Sequence, residues 1–246
     1  MASVVEEREK LMAGLVVRDL TAVVGTFVLN VEHLTVSPGE ILCVMGESGC
    51  GKTTLLNAIA GFLPIKKGQI FANHLNVGQL PPEKRKIALV FQRPHLFPHL
   101  NVVENVAFAL RLQGLPDKQC LQLAREGLQR LQIRELEERR HDEISEGQAQ
   151  RVSLARALAS DFPVILLDEP FSALDVATRT SLREVFQQEV KKKGIAALMV
   201  THHPEDALQI ADRLVVLENG KVSWSGTGCE VKSQRHVPVV GRLFPE

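Results

Sequence analysis

The segment Ile41-Leu-Cys-Val-Met45 followed by Gly46-Glu-Ser-Gly-Cys-Gly51-Lys52-Thr53 constrains this chain more than any other stretch. Five consecutive apolar residues form a strand buried on both faces, which implies a parallel sheet covered by helices on each side. The loop that leaves this strand fits G-x-x-x-x-G-K-[ST] and opens a helix. Its glycines let the backbone curl tightly, so that several N–H groups face one anion. The helix adds its positive N-terminal end. Lys52 can reach the β- and γ-phosphates of a nucleotide as a point charge, and the Thr53 hydroxyl can ligate Mg²⁺. A Gly-rich turn that merely carries a Lys is the bland alternative. The strand before and the helix after weigh against it.

The flanking sequence supplies the rest of an α/β chain. Leu15–Val24 and Phe27–Val36 read as strands, the second with Leu29 and Val31 alternating with Asn30 and Glu32. Ser37-Pro38-Gly39 is a turn, Gly61 ends the helix after the phosphate loop, and Ile87–Phe91 is a short apolar strand. From about Val102 to Leu158 the period becomes helical, with Leu121, Ala124, Leu128 and Leu131 on one face. Strands resume at Val164–Leu167 and Ile195–Val200 around a helix near Val176–Lys192, and two late strands fall near Leu214 and Val222. Strands alternating with helices imply βαβ crossovers, and the helical stretch reads as an insertion between two strand-rich regions.

Composition narrows the function. Lys+Arg and Asp+Glu both number 29, so no net charge pulls the chain onto nucleic acid or an anionic bilayer. Aromatics make up 4% with no Tyr, which argues against a base-stacking surface. Cys43, Cys50, Cys120 and Cys229 stand apart with no C-x-x-C pair. That fits a reducing cytoplasm rather than a disulfide framework or zinc site. The start MASVVEEREK lacks the apolar core of a signal peptide, and the first dozen residues read as a frayed lead-in. No apolar run is long enough to span a bilayer, so membrane contact is expected only through a partner.

Val164-Ile-Leu-Leu-Asp168-Glu169-Pro170 places two carboxylates at the end of a buried strand. In a parallel sheet that end shares an edge with the phosphate loop. Asp168 can then hold Mg²⁺, and Glu169 can orient and deprotonate an attacking water. Alone, Asp-Glu-Pro is a polar turn; coupled to the loop it signals nucleotide hydrolysis.

These segments occur in a recognisable order: Gly46–Thr53, Gln92 in Val-Phe-Gln-Arg, Ile144-Ser-Glu-Gly-Gln148, Asp168-Glu169, Ser172-Ala-Leu-Asp175 and Thr201-His202. From about Leu15 to Gly226 the chain resembles the ATP-binding subunit of bacterial ATP-binding-cassette (ABC) transporters of the importer type. The resemblance implies a P-loop NTPase (RecA-like) core with a mostly parallel sheet, an antiparallel β subdomain and an inserted α-helical subdomain. As one domain over residues 13–246, it would place the core and β subdomain at about 13–94 and 161–226. The helical subdomain would occupy about 95–160, and 227–246 would be a short tail. It further implies an ATPase that is peripheral on the inner face of the cell membrane, with integral membrane permease subunits as partners and no direct nucleic-acid contact.

In this family two copies pair head to tail around two ATP molecules. Each ATP lies on Gly46, Glu47, Ser48, Gly49, Cys50, Gly51, Lys52, Thr53 and Thr54 of one chain, with Val24 near the base. Ser145, Gly147 and Gln148 of the other chain cover it. Asp175 is expected to buttress the opposite site. Glu169, His202, Gln92 and Lys52 are the implied catalytic set, and Thr53, Gln92 and Asp168 the implied Mg²⁺ ligands. Structural roles compete for two of these positions: Ser145 and Asp175 each precede a helix and read as N-caps. His202 and His203 are adjacent, yet chain neighbours point in different directions and no further ligand stands nearby in sequence, so a metal is not expected there. Leu96–Phe108 resembles the stretch that receives a coupling helix from the membrane subunit, and Phe97 and Leu100 are the docking candidates against simple burial under a loop.

Three departures from the family's pattern matter. Glu146 stands where the signature usually has Gly; facing the phosphate it would weaken the sandwich by repulsion, whereas facing away, the favoured reading, it stabilises the helix's first turn by about 0.3–1 kcal/mol. The place of an adenine-stacking aromatic holds Val24-Gly25, with Phe27 the nearest ring, so loose selectivity for ATP over GTP is expected. About twenty residues follow Gly226, so a regulatory β-barrel domain is not expected in this sequence. Cys50 reads as a space-filling residue. A soluble non-transport ABC ATPase and an ATP-sensing module with little turnover are the competing functions.

Overall fold

A computed structural model describes residues 14–245, so the expected lead-in lies outside the described residues. Strand β1 (Leu15–Val24) turns into β2 (Phe27–Val36) as an antiparallel hairpin that sets Val24 opposite Phe27. β3 (Ile41–Met45) leads through the Gly-rich loop into helix α1 (Lys52–Ala60), which ends at Gly61 as the sequence predicts. Then follow β4 (Ile65–Ala72), β5 (Leu75–Asn76) and β6 (Ile87–Val90). Three helices come next: α2 (Val102–Arg111), α3 (Asp117–Arg130) and α4 (Glu146–Ala159). The chain continues with β7 (Val164–Asp168), α5 (Val176–Lys193), β8 (Ala196–Val200), α6 (Pro204–Ile210), β9 (Arg213–Glu218) and β10 (Lys221–Gly226). It closes with two short helices, α7 (Gly228–Ser233) and α8 (Pro238–Leu243).

Two sheets result. The larger has the order β10-β9-β3-β8-β7-β6, and the smaller β2-β1-β4-β5. In the larger sheet β6, β7, β8, β3 and β9 run parallel, and only β10 is antiparallel to its neighbour. The smaller sheet is antiparallel throughout. The C-terminal ends of β3, β6, β7 and β8 therefore share one edge.

The continuous apolar runs are explained by two cores, one on each face of the parallel sheet. Ile41, Cys43, Met45, Ile165, Leu167, Ala197 and Met199 face a core shared with α2–α5. Leu42, Val44, Val164, Leu166, Leu198 and Val200 face a second core built with α1 and the antiparallel sheet. Period-2 geometry sends alternate residues to opposite faces, so a strand between two cores has no polar position.

The sequence reading departs from the fold in three places. On α3 the buried face is Cys120, Ala124 and Leu128, while Leu121 only packs at its border. β4 and β5 were not legible, because Ile65-Lys-Lys-Gly-Gln-Ile-Phe-Ala72 has no clean alternation; β1 recruits it as a partner strand. The expected short tail forms α7 and α8, and Val231, Val240 and Phe244 are buried in the core. Among the described residues no helix is long and apolar enough to cross a membrane.

Candidate functional site

The phosphate loop is built by left-handed backbone that glycine adopts freely. Gly46, Gly49 and Gly51 all have positive φ, and Gly51 caps α1 at φ 109°. A side chain at Gly51 would also strike the Phe27 ring, whose Cζ would lie 2.8 Å from an added Cβ. Lys52 Nζ donates to the carbonyls of Gly46 at 2.7 Å and Glu47 at 3.0 Å, closing the loop on itself. A cavity of about 280 Å³ is lined by Val24, Phe27, Gly49, Gly51, Lys52, Thr53 and Thr54. Val24 and Phe27 both line the loop's cavity. Cys50 is buried, in keeping with a space-filling role.

The C-terminal end of α1 is held by an unusual cap. The Arg85 guanidinium is buried and donates to the carbonyls of Ala58, Ile59, Gly78 and Leu80. A cation there satisfies orphan carbonyls and complements the negative end of the helix dipole. Burial pushes the guanidinium below its ordinary value. The sequence reading passed over Arg85, since nothing in its local pattern signals a cap supplied from 26 residues away.

At the end of β7, Asp168 Oδ2 accepts a hydrogen bond from Thr53 Oγ1 at 3.3 Å. Burial pushes the Asp168 carboxyl up; the Thr53 hydrogen bond and Lys52 oppose this, and the negative Glu169 adds to it. This hydroxyl–carboxylate pair beside a phosphate loop is a hard-oxygen donor set that fits Mg²⁺. Gln92 is exposed in the loop that follows β6.

Glu169 takes a left-handed conformation, φ 48°, at the tip of the strand. Its N–H donates to Val200 O, which turns the side chain back toward the end of β8. There its carboxylate is gathered by three groups. Thr201 Oγ1 donates to Oε2 at 2.8 Å and the His202 N–H to Oε1 at 2.8 Å, while His202 Nδ1 lies 2.6 Å from Oε1. Non-glycine residues in this conformation cluster at functional sites. A carboxylate oxygen accepts, which assigns the proton of a neutral His202 ring to Nδ1.

His203 differs from expectation. The rings of His202 and His203 do not diverge; their centroids are 4.0 Å apart, tilted by 38°. The His203 N–H donates to Thr201 Oγ1, a tight bend that brings the two imidazoles together. Glu169, His202 and His203 each present one ligand atom within 4.8 Å of the others. The third member, Glu169, comes from the turn just past β7, out of sight of any local sequence window.

The signature segment lies at the N-terminus of α4. Ser145 Oγ accepts from the Gln148 N–H and Gln148 Oε1 accepts from the Ser145 N–H, a complete capping box. Gly147 leaves no room for a side chain: an added Cβ would meet Ala173 O at 2.9 Å. Glu146 is exposed in the first helical turn. Asp175 caps α5 by accepting from the Thr178 N–H at 3.0 Å, and hydrogen bonds from the Thr178 side chain and N–H hold its carboxyl low.

The loop before α2 is tied down by Asn105, which is buried and donates to the carbonyls of Phe97, Leu100 and Asn101 while accepting from the Phe97 N–H. The Phe97 and Phe108 ring centroids are 4.5 Å apart at a tilt of 51°, and Arg156 lies over the Phe97 ring. Phe97 and Leu100 are half-buried, between the two roles expected of them.

A parallel sheet, a phosphate loop and a carboxylate pair on one edge define a P-loop NTPase fold. The chain belongs to the ABC transporter family, which its residues 29–172 match. It is 44% identical over 203 residues to the spermidine/putrescine import ATP-binding protein PotA of Legionella pneumophila, covering 82% of this chain and 56% of that protein. PotA of Vibrio cholerae is 40% identical over 224 residues, covering 91% of this chain and 58% of that protein. The chain spans a little over half the length of these relatives. A solved structure of the ATP-binding cassette MJ0796, dimeric in a post-hydrolysis state and bound to ADP and Pi, superposes with a TM-score of 0.78 at 28% identity, covering 87% of this chain and 98% of that one.

Proposed function

We propose that this chain binds and hydrolyses ATP to power a membrane importer, through ATP-driven head-to-tail pairing of two copies at the inner face of the cell membrane. The observation that carries this reading is the convergence of Lys52, Thr53, Asp168, Glu169 and His202 at one edge of a parallel sheet. The phosphate loop binds the triphosphate with backbone N–H groups and the α1 dipole. Lys52 exchanges its own loop carbonyls for phosphate oxygens. Thr53 and Asp168, with Gln92 from the loop after β6, would hold Mg²⁺, which supplies neutralisation of the phosphate charge.

Glu169 accepts the proton of the attacking water. Thr201 and His202 fix its carboxylate, and His202 contacts the terminal phosphate in its imidazolium form, in which Nδ1 donates to Glu169 and Nε2 donates to a phosphate oxygen. The second copy contributes Ser145, Gly147 and Gln148 from the positive end of α4. In the capping box the Ser145 oxygen is the acceptor, so its own proton remains free to donate to a γ-phosphate. Asp175 buttresses the opposite site. Loss of the γ-phosphate removes these cross-chain bonds and opens the pair. The Asn105-held loop around Phe97 receives the membrane subunit, and the choice of cargo rests with membrane and capture partners.

Co-purification from native membranes, followed by reconstitution in vesicles, tests the proposal. ATP-dependent uptake that stops in Glu169→Gln supports it. Absence of any permease partner, with ATP turnover stimulated by nucleic acid instead, overturns it.

A further inference from the structure

We propose that Glu169, His202 and His203 form a binding site for a divalent transition-metal ion, Zn²⁺ being the representative, and that its occupation takes Glu169 out of hydrolysis. The second clause rests on the function proposed above; the first does not.

Two imidazoles and one carboxylate are the His₂Glu donor set that zinc accepts, with a water in the fourth position. Nitrogen donors favour Zn²⁺, Cu²⁺ and Ni²⁺, whereas Mg²⁺ demands oxygen ligands and retains waters. The hydroxyl–carboxylate pair of Thr53 and Asp168 and the His₂Glu cluster thus select different ions although they border one another. The three ligand atoms already lie within 4.8 Å of one another. Tetrahedral coordination with bonds of about 2.0–2.1 Å needs spacings of about 3.3 Å. Rotation of the His202 ring, whose side chain is 57% exposed, breaks the Nδ1–Oε1 contact, turns the unprotonated Nε2 toward the ion and gives the ion access. Glu169 is fixed from the opposite side by Thr201 and has little freedom to leave. A metal drawing on its carboxylate competes with the proton that Glu169 must accept from water, and it also holds His202 away from phosphate. Turnover would then fall as transition-metal concentration rises, at constant Mg²⁺ and ATP.

The test uses the whole nucleotide-free chain. Co²⁺ is titrated while its visible ligand-field bands are followed, and Zn²⁺ binding is measured by calorimetry for wild type, His203→Ala and His203→Gln. Both variants are expected to weaken Zn²⁺ binding at least about tenfold, since even an outer-shell loss costs that much. Unchanged affinity in both variants, or no tetrahedral Co²⁺ bands in wild type, overturns the site. In a second arm, Mg-ATP turnover is measured with and without micromolar free Zn²⁺. Inhibition of wild type that His203→Ala relieves supports the regulatory role, and equal rates with Zn²⁺ bound overturn it. A chain that never hydrolyses ATP overturns the proposed function, and the metal titration then judges the site by itself.

Discussion

Glu169 Oε1 lies 2.6 Å from His202 Nδ1, and this contact joins the ends of two neighbouring parallel strands, β7 and β8, into one acid–base unit. The pair fixes a tautomer and orients a carboxylate before any substrate arrives. A group held in its working position need not be reorganised during reaction.

Glu169→Gln keeps the shape of that unit and removes the proposed general base. ATP turnover is expected to drop by about 10²–10⁴-fold. The variant should accumulate as an ATP-bound dimer, read by light scattering. A variant that hydrolyses ATP at the wild-type rate would refute the assignment of Glu169.

Arg85→Met tests the cap on α1. Four carbonyls lose their donor in a buried setting. We expect a loss of roughly 1–3 kcal/mol in urea unfolding, the scale for leaving buried hydrogen-bonding groups unsatisfied. A loss under about 1 kcal/mol would show that water replaces the guanidinium.

Asn105→Ala should separate hydrolysis from coupling. The side chain's four hydrogen bonds all go to the backbone of residues 97–101. Without them Phe97 loses its placement against Phe108. ATP turnover by the isolated chain should stay within about twofold while uptake in a reconstituted transporter falls about tenfold or more, by the tenfold-per-1.4 kcal/mol scale of partner binding. Equal uptake with the loop amides freely exchanging would refute the docking role.

The nucleotide base should be read weakly. Val24 is exposed, and the Phe27 ring lies against Gly51. GTP and ATP are expected to differ in kcat/KM by less than about tenfold, that is about 1.4 kcal/mol. A hundredfold preference for ATP would require a base contact that these residues do not provide.

Thiol reactivity should follow burial. Burial pushes the Cys43 thiol well up, and the negative Glu169 and Asp206 add to this. Because only the thiolate attacks, Cys43 stays neutral and silent as pH rises through 8–9, where an ordinary thiol (about 8.5) ionises. Cys229 is exposed and should alkylate first. Mass spectrometry after brief iodoacetamide treatment checks the order; early Cys43 labelling in folded protein would contradict it.

The sequence by itself determined the local pieces. Ile41–Met45, Gly46–Thr53 and Gly61 fix a buried strand, a phosphate loop and a helix end. Ser145 and Asp175 announce their helix caps, because each of these features depends on contacts within a few residues. Only the tertiary structure decided what those pieces face. Arg85 reaches α1 from a distant loop, and β4 becomes a strand because β1 offers an unpaired edge. His203 swings beside His202, which meets Glu169 from 33 residues away. Strand order and the bend at Thr201 set such meetings, and side-chain chemistry written along one dimension carries no record of which strand ends will lie side by side.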